Sequence, residues 1–282
     1  MSLMQKTSAG IRDKISYVPV RLHPCFGKKV LSQATGFFYL HNDKSYLITN
    51  WHNVTGRHPQ TLKPLSETAA IPDDMAIFMP YKEDTDDKHI SGETIFIKEW
   101  KVEGLPLYED EEKQVPVWYE HPLLGKEVDV VAIEIENDLG ASDVFYVNDD
   151  RIELDSIYIL PGNDVFVVGF PKAMTGGGYF PLWKRGSIAS EPEIDLDDLP
   201  KLLIDTATRE GMSGSPVYGQ YFGRRSFDKQ LGICREFLGV YSGRVGDDTF
   251  LAQLGVVWKA KVIDEIITGQ KVGRSYFEIS AT

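Results

Sequence analysis

The sequence predicts an all-β chain in two halves closed by a short C-terminal helix, and three observations carry that prediction. Strand-like alternation dominates over helical periodicity along most of the chain. The strand-like runs fall into two groups of six on either side of the polar stretch Asn137-Asp138-Leu139-Gly140-Ala141-Ser142-Asp143. The length of 282 residues, with 25 glycines, 15 prolines and 42% apolar residues, accommodates two units of roughly 100 to 130 residues with self-sufficient cores.

The first unit is placed at residues 15–140, with strands near Ile15–Leu22, Thr35–His41, Lys44–Thr49, Met75–Pro80, Thr94–Glu103 and Val130–Glu136. The second is placed at 150–262, with strands near Asp164–Gly169, Leu182–Ala189, Leu202–Thr206, Ser215–Tyr218, Arg235–Gly243 and Ala252–Trp258. A helix over 259–269 follows, and the tail beyond it is expected to be loose. Glu191 to Pro200 has the acidic, proline-bounded composition of a loop.

Three segments carry chemistry. In Gly211-Met212-Ser213-Gly214-Ser215-Pro216, glycines flank a serine, permitting unusual backbone angles and close approach of a carbonyl to main-chain N–H groups. Alone, the string also fits an ordinary glycine-serine turn. In Tyr46-Leu47-Ile48-Thr49-Asn50-Trp51-His52-Asn53-Val54, an apolar strand runs into a histidine, the side chain that titrates near neutrality. Read alone, His52 also fits a turn or a satisfied core histidine. Among the six histidines only His121, beside Pro122, rivals it, and His121 is assigned a structural role. Asp129 opens the Val/Ile-rich run Val130 to Ile135, where a carboxylate needs a partner to be buried. The weight lies in the combination and in its order: His, Asp, Ser.

These segments resemble a trypsin/chymotrypsin-like serine protease, and the bacterial high-temperature-requirement branch more than the digestive enzymes. Thr49 to Val54 is similar to that family's T-x-x-H-V segment, and Asp129-Val130-Val131-Ala132-Ile133 to its D-[IV]-A-[VIL] segment with one extra apolar residue. Val167 to Pro171, Lys184 to Ile188, Leu238 to Gly243 and Leu254 to Trp258 are similar to later strands of the family in the same order. The resemblance covers roughly residues 30 to 268 and implies two six-stranded antiparallel β-barrels. It implies a serine endopeptidase acting on protein or peptide, with Ser213 as nucleophile, His52 as base and acid, and Asp129 orienting the imidazole. The N–H groups of Gly211 and Ser213 would form the oxyanion hole. Ala207 would lie at the base of the primary pocket, walled by Thr208, Ser242, Gly243, Arg244 and Gly255. With no carboxylate at that base, a small or medium apolar residue is expected before the scissile bond. Arg244 stands where the family often has glycine, and would cap the pocket or meet an acidic substrate residue.

Departures from the family are also expected to matter. Digestive members place an aspartate before the nucleophile to receive a freshly cut N-terminus, whereas this chain has Met212 and no I-V-G-G-like start. That salt bridge is therefore not expected, leaving loop ordering, substrate or a regulatory protein partner to control activity. No docking module of the kind many bacterial relatives carry is recognisable. The long interval between His52 and Asp129, with its acidic run Tyr108 to Glu112, suggests an elaborated first unit with a solvated acidic loop.

Composition sets the remaining expectations. Two cysteines, Cys25 and Cys234, fall in different units and outside any Cys/His cluster, so neither a disulfide nor structural zinc is expected, and a reducing, cytoplasmic setting is. No cofactor is implied. A net charge of −12 argues against nucleic acid. Apolar runs are too short to span a bilayer, and the first residues lack the apolar segment of a secretory signal. The main alternative is a catalytically silent, peptide-binding module on the same fold. An ester hydrolase fits less well, because its G-x-S-x-G elbow is not found around Ser213 and its acid and histidine would follow the serine.

Overall fold

The computed structural model describes residues 13–81, 99–135, 145–156, 158–176, 179–207, 210–226, 228–244 and 254–281. Its N-terminal half contains β1 (Pro19–Phe26), β2 (Lys29–Val30), β3 (Ala34–His41), β4 (Lys44–Thr49), α1 (Trp51–Thr55), β5 (Asp74–Tyr81), β6 (Glu99–Pro106), β7 (Trp118–Glu120) and β8 (Val131–Ile135). The C-terminal half contains β9 (Asp164–Gly169), β10 (Leu182–Ile188), β11 (Lys201–Asp205), β12 (Pro216–Arg224), β13 (Leu231–Arg244) and β14 (Leu254–Lys259). The chain closes with α2 (Lys261–Gly269), β15 (Lys271–Val272) and α3 (Tyr276–Ser280).

The all-β architecture of two antiparallel sheets is the one the sequence predicts. β9 to β14 form a closed barrel in the order β10-β11-β14-β13-β12-β9. The N-terminal sheet is richer in strands than six. Among the described residues it has nine, in the order β15-β7-β8-β4-β3-β1-β5-β6 with β2 paired to β1. Three of these strands, β2, β7 and β15, are only two or three residues long, too short to leave a period-2 pattern. Residues 15–17, expected in the first strand, instead lie in a 3-10 turn capped by Asp13. The polar stretch 137–143 and the first part of the expected strand at 94–103 lie outside the described residues.

Three apolar clusters hold this arrangement. One fills the N-terminal sheet around Leu22, Phe38, Leu47, Trp51 and Ile133. A second fills the barrel around Val165, Val167, Ile204, Val217 and Tyr241. The third lies between the halves, where Phe37, Ile48, Val130 and Ala132 meet Val168, Tyr218, Val240 and the apolar face of α2. Val262, Ile263, Ile266 and Ile267 make that face, with the i, i+1, i+4, i+5 spacing of a helix buried on one side.

The tail after Gly269, expected to be loose, is ordered. Lys271 and Val272 pair with Glu120 and Tyr119, covering an otherwise open edge of β7. Ser275 and Glu278 then form a capping box on α3, which buries Ile279 in the N-terminal cluster. The acidic run after Tyr108 is a turn in which the Asp110 carboxylate accepts the N–H groups of Gln114 and Val115.

Because α2 belongs to the cluster shared by both halves, Ile266→Ala is expected to lower unfolding free energy by about 2–5 kcal/mol, read from the shift of a urea transition. A change below about 1 kcal/mol would show that the shared cluster does not hold the halves together.

Candidate active site

The halves bring His52, Asp129 and Ser213 together. β4 ends at Thr49, and α1 begins two residues later with Asn50 in extended conformation at its cap. The Asn50 amide donates to the Asp129 carbonyl at 2.6 Å, and the Trp51 indole donates to Glu120 at 2.8 Å. These bonds fix the helical turn that carries His52. Asp129 is 1% exposed, between the fully buried Val128 and Val130. Its Oδ1 accepts the His52 backbone N–H at 3.0 Å, while Oδ2 lies 2.7 Å from His52 Nδ1 and 2.5 Å from Ser242 Oγ. A carboxylate can only accept, so this geometry keeps the proton on Nδ1 and the lone pair on Nε2.

The serine turn is held from both sides. Gly211 and Gly214 have φ of +89° and +85°, the left-handed region that glycine enters without strain. A Cβ on Gly211 would lie 2.4 Å from the Phe170 carbonyl oxygen, and one on Gly214 would lie 2.0 Å from that of Thr35. The Glu210 carbonyl accepts from the Lys172 N–H at 2.6 Å. Since the peptide is trans, the Gly211 N–H points away from the Glu210 carbonyl, and Gly211 and Ser213 both line a cleft. The next carbonyl, of Gly211, accepts from Thr35 Oγ1 at 2.7 Å, and that oxygen also accepts the Phe170 N–H at 3.2 Å. Thr35 N–H donates to the Ser213 carbonyl at 2.9 Å. Beneath the turn, Met212 is fully buried in the barrel cluster with Val167, Ile188 and Val217, so the site of the digestive enzymes' charged pair is apolar here.

Ser213 Oγ donates to the Ser242 carbonyl at 3.2 Å, and no bond joins it to His52 among the described residues. Two clefts meet at His52. One, of about 470 Å³, runs along Ser242, Gly243 and Arg244 and includes Asp129, Leu199 and Lys201. The other, of about 590 Å³, is bounded by Val30, Leu31, Pro72, Glu210 and Ser213. Leu65, half exposed at 51%, lines both.

Of the residues expected around the primary pocket, Ser242, Gly243 and Arg244 thus border the first cleft. Ala207 is exposed just beyond β11, and Gly255 is buried opposite Arg244, where a Cβ would lie 2.6 Å from the Tyr241 ring. Thr208 lies outside the described residues. The loop from Glu191 to Pro200 reaches the first cleft through Leu199, and Asp195 is tied to Lys259 and Lys261. The Lys259 hydrogen bond, ahead of that from Lys261, holds the Asp195 carboxyl below its ordinary range. His121 is buried and structural in its contacts: Nε2 lies 2.9 Å from Glu265, and Nδ1 faces the Leu123 and Leu124 N–H groups. Among the described residues no group of three or more His, Cys, Asp or Glu side chains is placed to hold a metal ion.

Sequence reasoning missed Thr35 and Lys172, and gave Ser242 only a place in the pocket wall. Thr35→Val keeps shape but leaves the Gly211 carbonyl and the Phe170 N–H without their buried partner. The variant is expected to lose about 1–3 kcal/mol of stability and to speed amide exchange at Phe170, read by denaturation and by hydrogen exchange. Unchanged exchange at Phe170 would show that the hydroxyl does not hold the turn.

No curated protein matches the sequence. Among solved structures, the serine endoprotease from Yersinia pestis is similar at 11% identity and a TM-score of 0.47, over 90% of this chain and 62% of that one. The chain therefore spans less than two thirds of that protein's length. A model of the trypsin-like peptidase domain matches residues 34–223, a range that holds β3, His52, Asp129 and the serine turn. That match extends over more than half of the sequence, and the chain belongs to the trypsin-like peptidase family.

Proposed function

We propose that the protein is a serine endopeptidase that cleaves peptide bonds through Ser213, His52 and Asp129 by way of an acyl-enzyme. The observation that carries this reading is the Asp129 carboxylate, which holds both the backbone N–H and Nδ1 of His52 and leaves Nε2 free of that contact, with His52 and Ser213 lining one cleft. Ser213 Oγ attacks the scissile carbonyl as His52 Nε2 takes its proton. The imidazolium formed is stabilised by Asp129 and then protonates the leaving amine. Water repeats the sequence on the ester and returns the serine. The developing oxyanion is met by the N–H groups of Gly211 and Ser213, and the anchoring of the Glu210 carbonyl on Lys172 supports a hole preset before substrate arrives. A buried Met212 supports a site that needs no inserted terminus.

Attack requires the Ser213 hydroxyl to leave the Ser242 carbonyl and turn to His52. That resting contact favours one alternative, a catalytically silent module that binds peptides along Ser242 to Arg244. The two buried, unpaired thiols of Cys25 and Cys234 support a reducing, cytoplasmic setting for either reading. No helix among the described residues is long and apolar enough to cross a membrane. Protein or peptide is the proposed substrate, with no part for nucleic acid, membrane or cofactor, and control by a protein partner remains part of the proposal.

Hydrolysis of an unfolded protein substrate tests the reading. Asp129→Asn, which offers Nδ1 the wrong partner while keeping shape, is expected to lower kcat by about 10⁴-fold. Gly211→Ala is expected to lower it by at least about 10²-fold through the displaced hole donor. Turnover unaffected by Asp129→Asn would remove the triad, and turnover unaffected by Gly211→Ala would remove the oxyanion hole; absence of turnover in the unsubstituted protein, under all conditions that keep it folded, would favour the silent module.

A further inference from the structure

The two clefts that meet at His52 differ in charge, and from that difference we infer that this protein selects peptides with acidic side chains on the N-terminal side of the scissile bond. The inference deepens the reading of the site as one that binds peptides. The leaving nitrogen must lie by His52, which protonates it. The Ser242 carbonyl, 3.2 Å from Ser213 Oγ, is then the acceptor that faces the N–H of the acyl residue. An extended acyl segment continues from there along Gly243 and Arg244, within the 470 Å³ cleft.

Among the described residues that cleft is lined by three cations, Lys126, Lys201 and Arg244, in a chain whose net charge is −12. Among the described residues its two carboxylates are Asp129, already held by His52 and Ser242, and the exposed Glu127. Lys201 is paired with Asp197 at 3.0 Å. Lys126 and Arg244 have no ion-pair partner among the described residues, and Arg244 is exposed at the end of β13, two residues beyond the anchor at Ser242. Cations left unpaired in an acidic surface lower the energy of a substrate carboxylate there and raise it for a substrate ammonium. The second cleft offers the opposite. Its walls are apolar at Val30, Leu31, Leu65 and Pro72, and among the described residues its one carboxylate is Glu210. An acidic side chain therefore gains on one side of the bond and not on the other.

Binding to the Ser213→Ala protein tests this without turnover. Three fluorescent decapeptides share a small apolar centre and carry two glutamates before it, two glutamates after it, or two glutamines before it. Fluorescence anisotropy in 50 mM salt is expected to show the first bound about fivefold more tightly than the other two. That margin should shrink toward unity in 500 mM salt. It should also vanish or reverse in a Lys126→Glu/Arg244→Glu variant, with Arg244→Ala as the milder substitution where the double variant does not fold. Equal or weaker binding of the first peptide, no measurable binding of any, or a preference indifferent to salt would overturn the inference. Cleavage by the unsubstituted protein is scored separately: selective binding without cleavage would sink the endopeptidase reading and leave the charge preference standing.

Discussion

The Thr35 side chain and backbone connect the two halves of the site. Ser213 belongs to the barrel, whereas His52 and Asp129 belong to the N-terminal sheet, and the distance between Ser213 and His52, the proposed nucleophile and base, is set wherever these halves are pinned. Thr35 does this from β3, with its hydroxyl between the Gly211 carbonyl and the Phe170 N–H and its own N–H on the Ser213 carbonyl. The Thr35 carbonyl accepts in turn from Thr49 Oγ1, at the end of the strand that leads into His52, and Thr49 Oγ1 accepts from Asn53. The chain of bonds therefore runs from the serine turn to the histidine turn through groups that are fully or nearly fully buried. In such surroundings each missing partner leaves an unsatisfied polar group, which costs more than the bond itself contributes.

In the proposed mechanism, electrostatic preorganisation follows from the same anchoring. Two successive carbonyls of the serine turn, those of Glu210 and Gly211, are engaged by Lys172 and Thr35, so the peptide planes between them have no freedom to turn an oxygen into the cleft. Lys172 reaches that position because it adopts a left-handed conformation, φ +51°, directly after Pro171. Fixed donors of this kind need no reorganisation when charge develops, which is the principal source of transition-state stabilisation in acyl transfer. Met212 supports the turn from below, as an apolar side chain packed in the barrel, by burial rather than by a charged partner.

Much of this was legible in the sequence, for reasons that particular residues make clear. β9 was readable because Val165 to Val168 is a short apolar run between Asp164 and the Gly169-Phe170-Pro171 turn, and β10 because Pro181 precedes a short run that ends in the apolar Ile188. His52, Asp129 and Ser213 stood out because each departs from its surroundings, a titratable group beside an apolar strand or a serine between glycines. Thr35 and Lys172 did not. A threonine in a strand is ordinary, and the partners of Thr35 lie 176 and 135 positions away, a pairing that local pattern cannot encode. The ordered tail was missed because Lys271 and Val272 form a strand only by finding the free edge of β7. β12 and β13 extend beyond the expected Ser215–Tyr218 and Arg235–Gly243, because Gly219, Gly223 and Gly232 interrupt the apolar alternation that a long hairpin would otherwise show.

The central claim is that Ser213 is the activated nucleophile of this assembly. Reaction of the folded protein with a fluorophosphonate, followed by proteolytic digestion and mass spectrometry, places the adduct on a residue directly. The account predicts a single phosphonylated residue, Ser213, with labelling abolished in His52→Ala. An unlabelled protein, or an adduct on another serine such as Ser215 or Ser242, would contradict it.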